Sequence, residues 1–434
     1  MNPPDTDAGA SRLLGAYIEA SPSPFHAAES AAQRLRAAGF LQTQPSDPLP
    51  ASGDCGLIIS GGALIAWRDP LDRPASAGFR VIGAHTDSPN LRIKPRPDRG
   101  VAGYRQLGIE VYGGALQNSW LDRDLGLSGR VAVRAAGAPT GTELRLMRVD
   151  RPLLRVAQLA IHLDRDVNSG LSLNAQTQLT PIWGLGPPRS GDFAAFVAAE
   201  IGTTADEIVW WDLMAHDLTP PALLGHREEL LAAPRIDNLA SCWAAVEAIA
   251  TAGDDGAPAQ GQVVALFDHE EVGSMSTTGA VGPLLEAVIE RLVLRRGGGR
   301  DDHLRAKAAS TMVSADGAHA AHPNYLDRYD PEHLLVPNGG PAIKVNQNQR
   351  YATSAQSVVA FVDACHAAGV PFQTYSHRSN LPCGSTIGPL SAANLGIDTV
   401  DVGIPQLSMH SARELCGADD PGHLLAALSA YLAG

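Results

Sequence analysis

Cysteine is scarce in this chain of 434 residues. The five that occur (Cys55, Cys242, Cys365, Cys383 and Cys416) are scattered, odd in number and never spaced as C-x-x-C. A disulfide framework and a cysteine-built zinc site are therefore not expected, and a reducing cytoplasm fits the pattern. Long apolar runs are missing as well. No stretch reaches the roughly 18 consecutive apolar residues that a membrane-spanning helix needs, so none is predicted. Positive charge is in deficit, with 33 Lys and Arg against 46 Asp and Glu and a net charge of −13. Nucleic acid and anionic membranes reward clustered basic residues, so neither is an expected partner. The opening residues MNPPDTDAGA carry neither the basic nor the apolar segment of a secretory leader. No repeat of fixed period occurs. What is present is an acidic chain with 44% apolar residues, long enough for a large core and more than one domain.

Two helices open the pattern, Ser11–Ala20 and, after the breaker SPSP, Pro24–Ala38 closed by Gly39. CGLIISGGALIAWR reads as a hairpin. FRVIGAHTDSPN reads as a short buried strand, Phe79–Gly83, that opens into a loop. From Pro97 to Pro234, short strand-like segments (LGIEVYGG, GRVAVRA, ELRLMRV, LAIHLD) mix with Gly, Pro and one helical stretch at Phe193–Ala199. This predicts an inserted, mainly β domain over 97–234. Beyond it the pattern predicts a helix at 238–252, a strand at 262–267, a helix at 283–295 and a strand at 310–314. A strand at 342–346, a helix at 354–368, strands at 371–375 and 399–403 and a closing helix from Pro421 follow, while 295–300 reads as a basic, Gly-rich loop. Such alternation predicts an α/β fold, with a mixed, largely parallel sheet flanked by helices, built from 1–96 and 235–434.

In sheets of this kind, sites form beyond the carboxyl ends of the strands. ALFDHEEVGS, Ala265–Ser274, shows what that means here. Three apolar residues, Ala265, Leu266 and Phe267, predict a buried strand, and Asp268, His269, Glu270 and Glu271 follow without a break. Three carboxylates so close repel one another and lose hydration unless a cation sits among them. Other ligand-type residues also follow predicted strands: His85 and Asp87 in GAHTDSP, Asp316 and His319 in VSADGAHAAHPN, and His410 in PQLSMHS. Asp237, in PRIDN, opens a helix. Histidine and carboxylate donors without cysteine suit Zn²⁺, Mn²⁺ or Co²⁺ in a catalytic site. Two histidines and three carboxylates exceed the donors that a single catalytic ion uses, and point to two ions sharing a carboxylate. Two divalent ions about 3.5 Å apart repel by roughly 19 kcal/mol at an effective dielectric near 20, so a bridging anion is required. Neighbouring residues point in different directions. One glutamate can therefore bind metal while the other moves a proton between water and a leaving amine.

AHTDSP, PRIDN, DHEEVGS, SADGAHAAHPNY, IKVNQNQRYAT, PCGSTIGP and PQLSMHS, in this order, resemble the M18 family of metallo-aminopeptidases, the aspartyl aminopeptidases. The resemblance runs over nearly the whole chain. It implies a dinuclear metallopeptidase fold in which His85 and Asp316 are terminal ligands of one ion, Glu271 and His410 of the other, and Asp237 is the bridge. It implies Glu270 as general base and Asp87 as the carboxylate that orients a ligand imidazole. His319, Lys344 and Tyr351 become candidate substrate contacts, with Lys344 facing the substrate's first side chain. The insertion resembles a dimerisation domain whose His162, in LAIHLDRD, reaches into a partner subunit's site. The implied activity is release of N-terminal residues, preferably Asp or Glu, from peptides in the cytoplasm. The implied assembly is a dodecamer built from dimers, and the implied cofactors are two divalent ions per subunit, Zn²⁺ before Mn²⁺ or Co²⁺.

Plainer readings stand beside these. A glutamate at a strand end is usually a solvated loop residue. Lys344 alternates with apolar neighbours, as a solvent-facing strand lysine would, and His162 reads equally as a strand histidine within its own β core. His269 and His322 read as structural, and His26, His216, His226 and His303 as surface or capping groups. Cys383, in LPCGST, has no histidine spelled out beside it and is not read as a nucleophile. Two other functions compete. A related dinuclear hydrolase would cleave N-acyl or C-terminal amides, and would not depend on a free substrate amine. A non-catalytic peptide-binding scaffold would have no use for an unligated Glu270.

Overall fold

Alternation along the strand Phe79–His85 explains how its sheet is built, because successive side chains leave opposite faces. Phe79 and Val81 pack with Trp67, Leu285, Ile289 and Leu292 on one side. Ile82 and Ala84 pack with Leu239, Trp243, Leu424 and Leu428 on the other. With helices on both faces, the strand reads as a continuous apolar run rather than an alternating one. The computed structural model describes residues 8–50, 54–138, 140–252 and 260–434. Residues 1–7, part of the polar opening read above for its lack of a leader, lie outside them. No helix among the described residues is long and apolar enough to cross a membrane.

The chain divides into two compact units, one comprising Met1–Asp87, Pro221–Met409 and Glu414–Gly434, the other Ser88–Pro220 and His410–Arg413. In the first unit a nine-stranded sheet runs in the order Leu41–Thr43, Cys55–Ser60, Ala63–Arg68, Gly261–Phe267, Phe79–His85, Thr311–Ala315, Asp398–Gly403, Ala342–Val345 and Gln373–Ser376. The four strands from Gly261–Phe267 to Asp398–Gly403 are mutually parallel, so their carboxyl ends share one edge. The hairpin read from the sequence is present at Cys55–Ser60 and Ala63–Arg68. A second, five-stranded sheet, which the pattern did not suggest, joins Ala222–Leu224, Leu230–Ala233, Glu414–Gly417, Pro405–Leu407 and Ala318–His319. Its strands are too short to carry a periodic signal. The Gly-rich loop expected at 295–300 leads into an unexpected helix, Arg300–Ala308, whose first turn is closed by the Gly299 N–H donating to Asp302.

The second unit is a six-stranded antiparallel sheet in the order Thr142–Leu154, Leu125–Arg134, Ile208–Asp217, Asn90–Val101, Tyr104–Tyr112 and Ile182–Leu185. Its one α-helix among the described residues, Asp192–Ile201, buries Phe193 edge-on against Trp183 and Trp211. LAIHLD is not the strand that its alternation suggests. The Leu163 N–H donates back to Ala160 in a turn, and Leu159, Ile161 and Leu163 are exposed. Alternation here marks apolar side chains at the surface, where no neighbouring strand takes up the backbone.

Candidate metal centre

The shared edge of the parallel strands collects the donors. His85 ends Phe79–His85, and Asp316 follows Thr311–Ala315. Glu270 and Glu271 begin the short turn Glu270–Val272, just beyond Gly261–Phe267, after His269 enters the left-handed region at φ 65°. Asp237 lies in the first turn of Ile236–Thr251. The backbone of Asp237 and Asn238 is non-helical there, and the peptide between them is cis.

His85 Nε2 lies 3.3 Å from Asp237 Oδ1, 3.5 Å from Asp316 Oδ1 and 4.0 Å from Glu270 Oε2. One donor atom each from His85, Asp237 and Asp316 fall within 4.8 Å of one another, and the same holds for His85, Glu270 and Glu271. The other ring nitrogen faces Asp87: Nδ1 is 3.0 Å from the Asp87 carbonyl oxygen and 3.5 Å from Oδ1. The Asp87 carboxylate also accepts the N–H groups of Glu270 and Glu271, each at 3.1 Å. It therefore holds the backbone of the glutamate pair as well as the imidazole.

The charges reflect this crowding. Burial alone would lower the His85 pKa. Hydrogen bonding to Asp237, Asp316 and Asp87 outweighs it and holds the imidazole well above its ordinary range. Burial pushes the Glu270 carboxyl up to about 8, opposed by His85 and reinforced by Asp316, Asp87 and Asp237. Four carboxylates around one imidazole are a costly arrangement for buried groups. A divalent cation among them would offset that cost, and oxygen and imidazole donors are the set that suits a catalytic zinc. The nearby thiol is not part of this set. Cys242 donates to the His85 carbonyl at 2.9 Å, and burial pushes it up to about 12.

Sequence reasoning missed the groups that hold the donors. Glu414 accepts the Asp237 N–H at 2.8 Å, and Asn238 donates its amide to the Ala315 carbonyl at 2.8 Å. Gly403 lets its strand run against Asp316, since a Cβ there would fall 1.6 Å from the Asp316 carbonyl oxygen. A buried acid in SARELCG is the only local hint of Glu414, and its partner is 177 residues away.

Among the expected substrate contacts, Lys344 is 1% exposed, so it is not a solvent-facing strand lysine. Its strand lies inside the sheet, and the ammonium donates to the Asp316 and Gly317 carbonyls at 3.2 and 3.1 Å. It also lies 3.9 Å from Asp316 Oδ2 and 5.0 Å from the Tyr351 ring centre. Tyr351 is buried, and His319 packs edge-on to Tyr375. In the second unit, His410 Nδ1 is 3.1 Å from the Gly114 carbonyl oxygen, and His162 is exposed. His269 bonds Ser276 at 2.9 Å, and His26 bonds Ser23 at the start of its helix at 2.7 Å. His216 and His303 are not surface groups. Both are buried, His216 within 3.3 Å of Asp150 and His303 within 3.9 Å of Glu286, because their strand and helix turn them inward.

The family model of the aminopeptidase I zinc metalloproteases (M18) matches residues 17–432. The chain belongs to the M18 aminopeptidase family. It is 52% identical over 430 residues to "Probable M18 family aminopeptidase 2" of Streptomyces coelicolor, covering 98% of each chain. Among solved structures it resembles a chain of the Ape4 and Nbr1 complex at 34% identity and a TM-score of 0.92, covering 98% of this chain and 86% of that one. It also resembles the S. cerevisiae mApe1 dodecamer at 26% identity and a TM-score of 0.85, covering 98% and 96%. The M18 chain is thus an aminopeptidase with the mixed α/β fold of its family, and the donor groups around His85 are its candidate metal ligands.

Proposed function

We propose that this M18 aminopeptidase removes acidic N-terminal residues, Asp or Glu, from peptides in the cytoplasm, with two divalent ions held at the strand edge. His85 and Asp316 would hold one ion, Glu271 and His410 the other, and Asp237 would bridge them. Bound there, the ions would polarise the scissile carbonyl and make water a stronger nucleophile near neutral pH. Glu270 takes a proton from the attacking water at its carboxylate and returns it to the leaving amine. Asp87 keeps that carboxylate in place through the backbone, and keeps His85 oriented through Nδ1. Lys344 supplies positive charge toward the substrate's first side chain, with His319 and Tyr351 around it. His162 of the partner subunit steadies the developing oxyanion. The insertion, 97–234, serves as the dimerisation domain of a dodecamer like the one named for mApe1.

The observation that carries the two-ion reading is the donor count on one edge: with Glu270 set aside as the base, His85, Asp237, Asp316 and Glu271 still supply four donors, more than the three that a single catalytic ion uses. Zn²⁺ is the first candidate, with Mn²⁺ and Co²⁺ next. A panel of aminoacyl substrates, free and N-acetylated, assayed with each ion while metal content is counted, tests the reading. Two ions per chain, loss of activity on acetylation and preference for Asp or Glu are expected. One ion per chain, or equal rates on acidic and neutral residues, would overturn the corresponding part.

A further inference from the structure

Gln406 carries a polar group that the fold itself leaves unused. It sits in the strand Pro405–Leu407, paired in register with His319, and is 2% exposed. Among the described residues, neither Nε2 nor Oε1 of its amide has a hydrogen-bond partner. The amide lies against Gly317, where an added Cβ would stand 2.9 Å from Gln406 Nε2. Gly317 follows the candidate ligand Asp316, and its carbonyl is the one that accepts the Lys344 ammonium at 3.1 Å. A buried cation and an unpaired amide therefore meet at the same residue, beside the metal donors.

Buried amides are hydrogen-bonded in the great majority of cases, and one that is not has to be explained. A glutamine kept only for packing could be exchanged for an apolar side chain of its shape at little cost, because no partner is left behind. Lys344 cannot supply all that a carboxylate ligand needs. Two of its three N–H groups are directed to the Asp316 and Gly317 carbonyls, whereas a carboxylate offers about four acceptor sites.

We infer that Gln406 is a specificity-determining residue: its amide N–H donates to the side-chain carboxylate of the substrate's first residue, while Lys344 offsets the charge. The inference rests on the acidic preference proposed above, and it adds the neutral donor that a charge alone does not provide. Removing that donor affects acidic substrates more than neutral ones, and it takes an unsatisfied group out of the core.

The test uses the metal-loaded, full-length enzyme with Asp, Glu, Asn and Leu aminoacyl substrates, together with thermal melting. Gln406→Met is expected to lower the Asp-to-Leu ratio of kcat/KM by about 10- to 100-fold, as for a hydrogen bond to a charged group. The change should appear mainly in KM, with a melting temperature equal to or above that of the wild type. Gln406→Glu, of the same shape but with a carboxylate in place of the donor, should lose Asp and Glu turnover further still. A wild type that prefers acidic residues, with a Gln406→Met that keeps the preference and melts lower, would overturn the inference and assign the amide to a buried structural water. If Gln406→Met does not fold, retained preference in Gln406→Glu overturns it equally. A wild type with no acidic preference would overturn the proposed selectivity, and the role of Gln406 with it.

Discussion

Asp87 holds Glu270 by its backbone: the aspartate carboxylate accepts the Glu270 N–H at 3.1 Å, and its other oxygen accepts that of Glu271 at the same distance. The same carboxylate lies 3.5 Å from His85 Nδ1. One buried group therefore sets both the candidate general base and a candidate metal ligand. Asp87→Ala is expected to lower kcat/KM by about 10- to 100-fold, the range for groups that orient metal ligands. Asp87→Asn, which keeps one acceptor, should fall between. Unchanged kinetics in Asp87→Ala, with the fold intact by circular dichroism, would remove Asp87 from the machinery.

The two glutamates should separate by what each loses. Glu270→Gln is expected to keep its metal and lose at least about 10²-fold in kcat, the lower range for acid–base catalysis. Glu271→Gln should lose metal, which elemental analysis reads directly. The opposite pattern of metal loss would exchange the two roles.

Lys344→Met tests selectivity against support. If the ammonium serves the substrate, Asp and Glu substrates should weaken by about 10- to 150-fold relative to Leu. Equal losses on both would mark Lys344 as a brace for the Asp316–Gly317 turn, whose carbonyls it already binds.

Asp420 supplies a pH dependence away from the site. It accepts the N–H groups of Asn338 and Gly340, yet burial pushes its carboxyl from an ordinary 3.8 up to about 7. Between those values the folded chain keeps a proton that the unfolded chain releases, so stability falls as pH rises through the window, by roughly 4 kcal/mol in all. Asp420→Asn cannot ionise, so its stability relative to the wild type should improve from pH 5 to pH 8. A gap in melting temperature that is the same at both pH values would show that Asp420 titrates normally.

The role proposed for His162 can be tested by mixing. His162→Ala and Glu270→Gln should each be nearly inactive, the first because an oxyanion donor is worth about 2.7–4 kcal/mol. A dimer of one with the other combines an intact Glu270 with an intact His162 of the partner subunit at one site. Co-assembled chains should recover activity approaching half of the sites. Mixed dimers shown to form without recovery would confine the insertion to a structural part.

The strand-end motifs were legible because a parallel sheet covered on both faces makes strands apolar throughout, so polar ligand residues can begin only where the strand stops. GAH, LFDHEE and VSAD mark those stops directly, and they place His85, Glu270, Glu271 and Asp316 without any tertiary information. The apolar runs likewise determined the central strands and most helices. Other features were settled only in three dimensions. Glu414 and Asp237 meet across 177 positions, and the Gly403–Asp316 approach depends on two strands becoming neighbours. The burial of Lys344 also reverses what its alternation suggested. A strand inside a sheet can bury a charge when carbonyls from the adjoining loop receive it, and no local pattern records where those carbonyls will lie. In LAIHLD the failure runs the other way. Alternation reports which side chains are apolar, but only a neighbouring strand can supply the hydrogen bonds that make a strand, and at His162 the fold provides none.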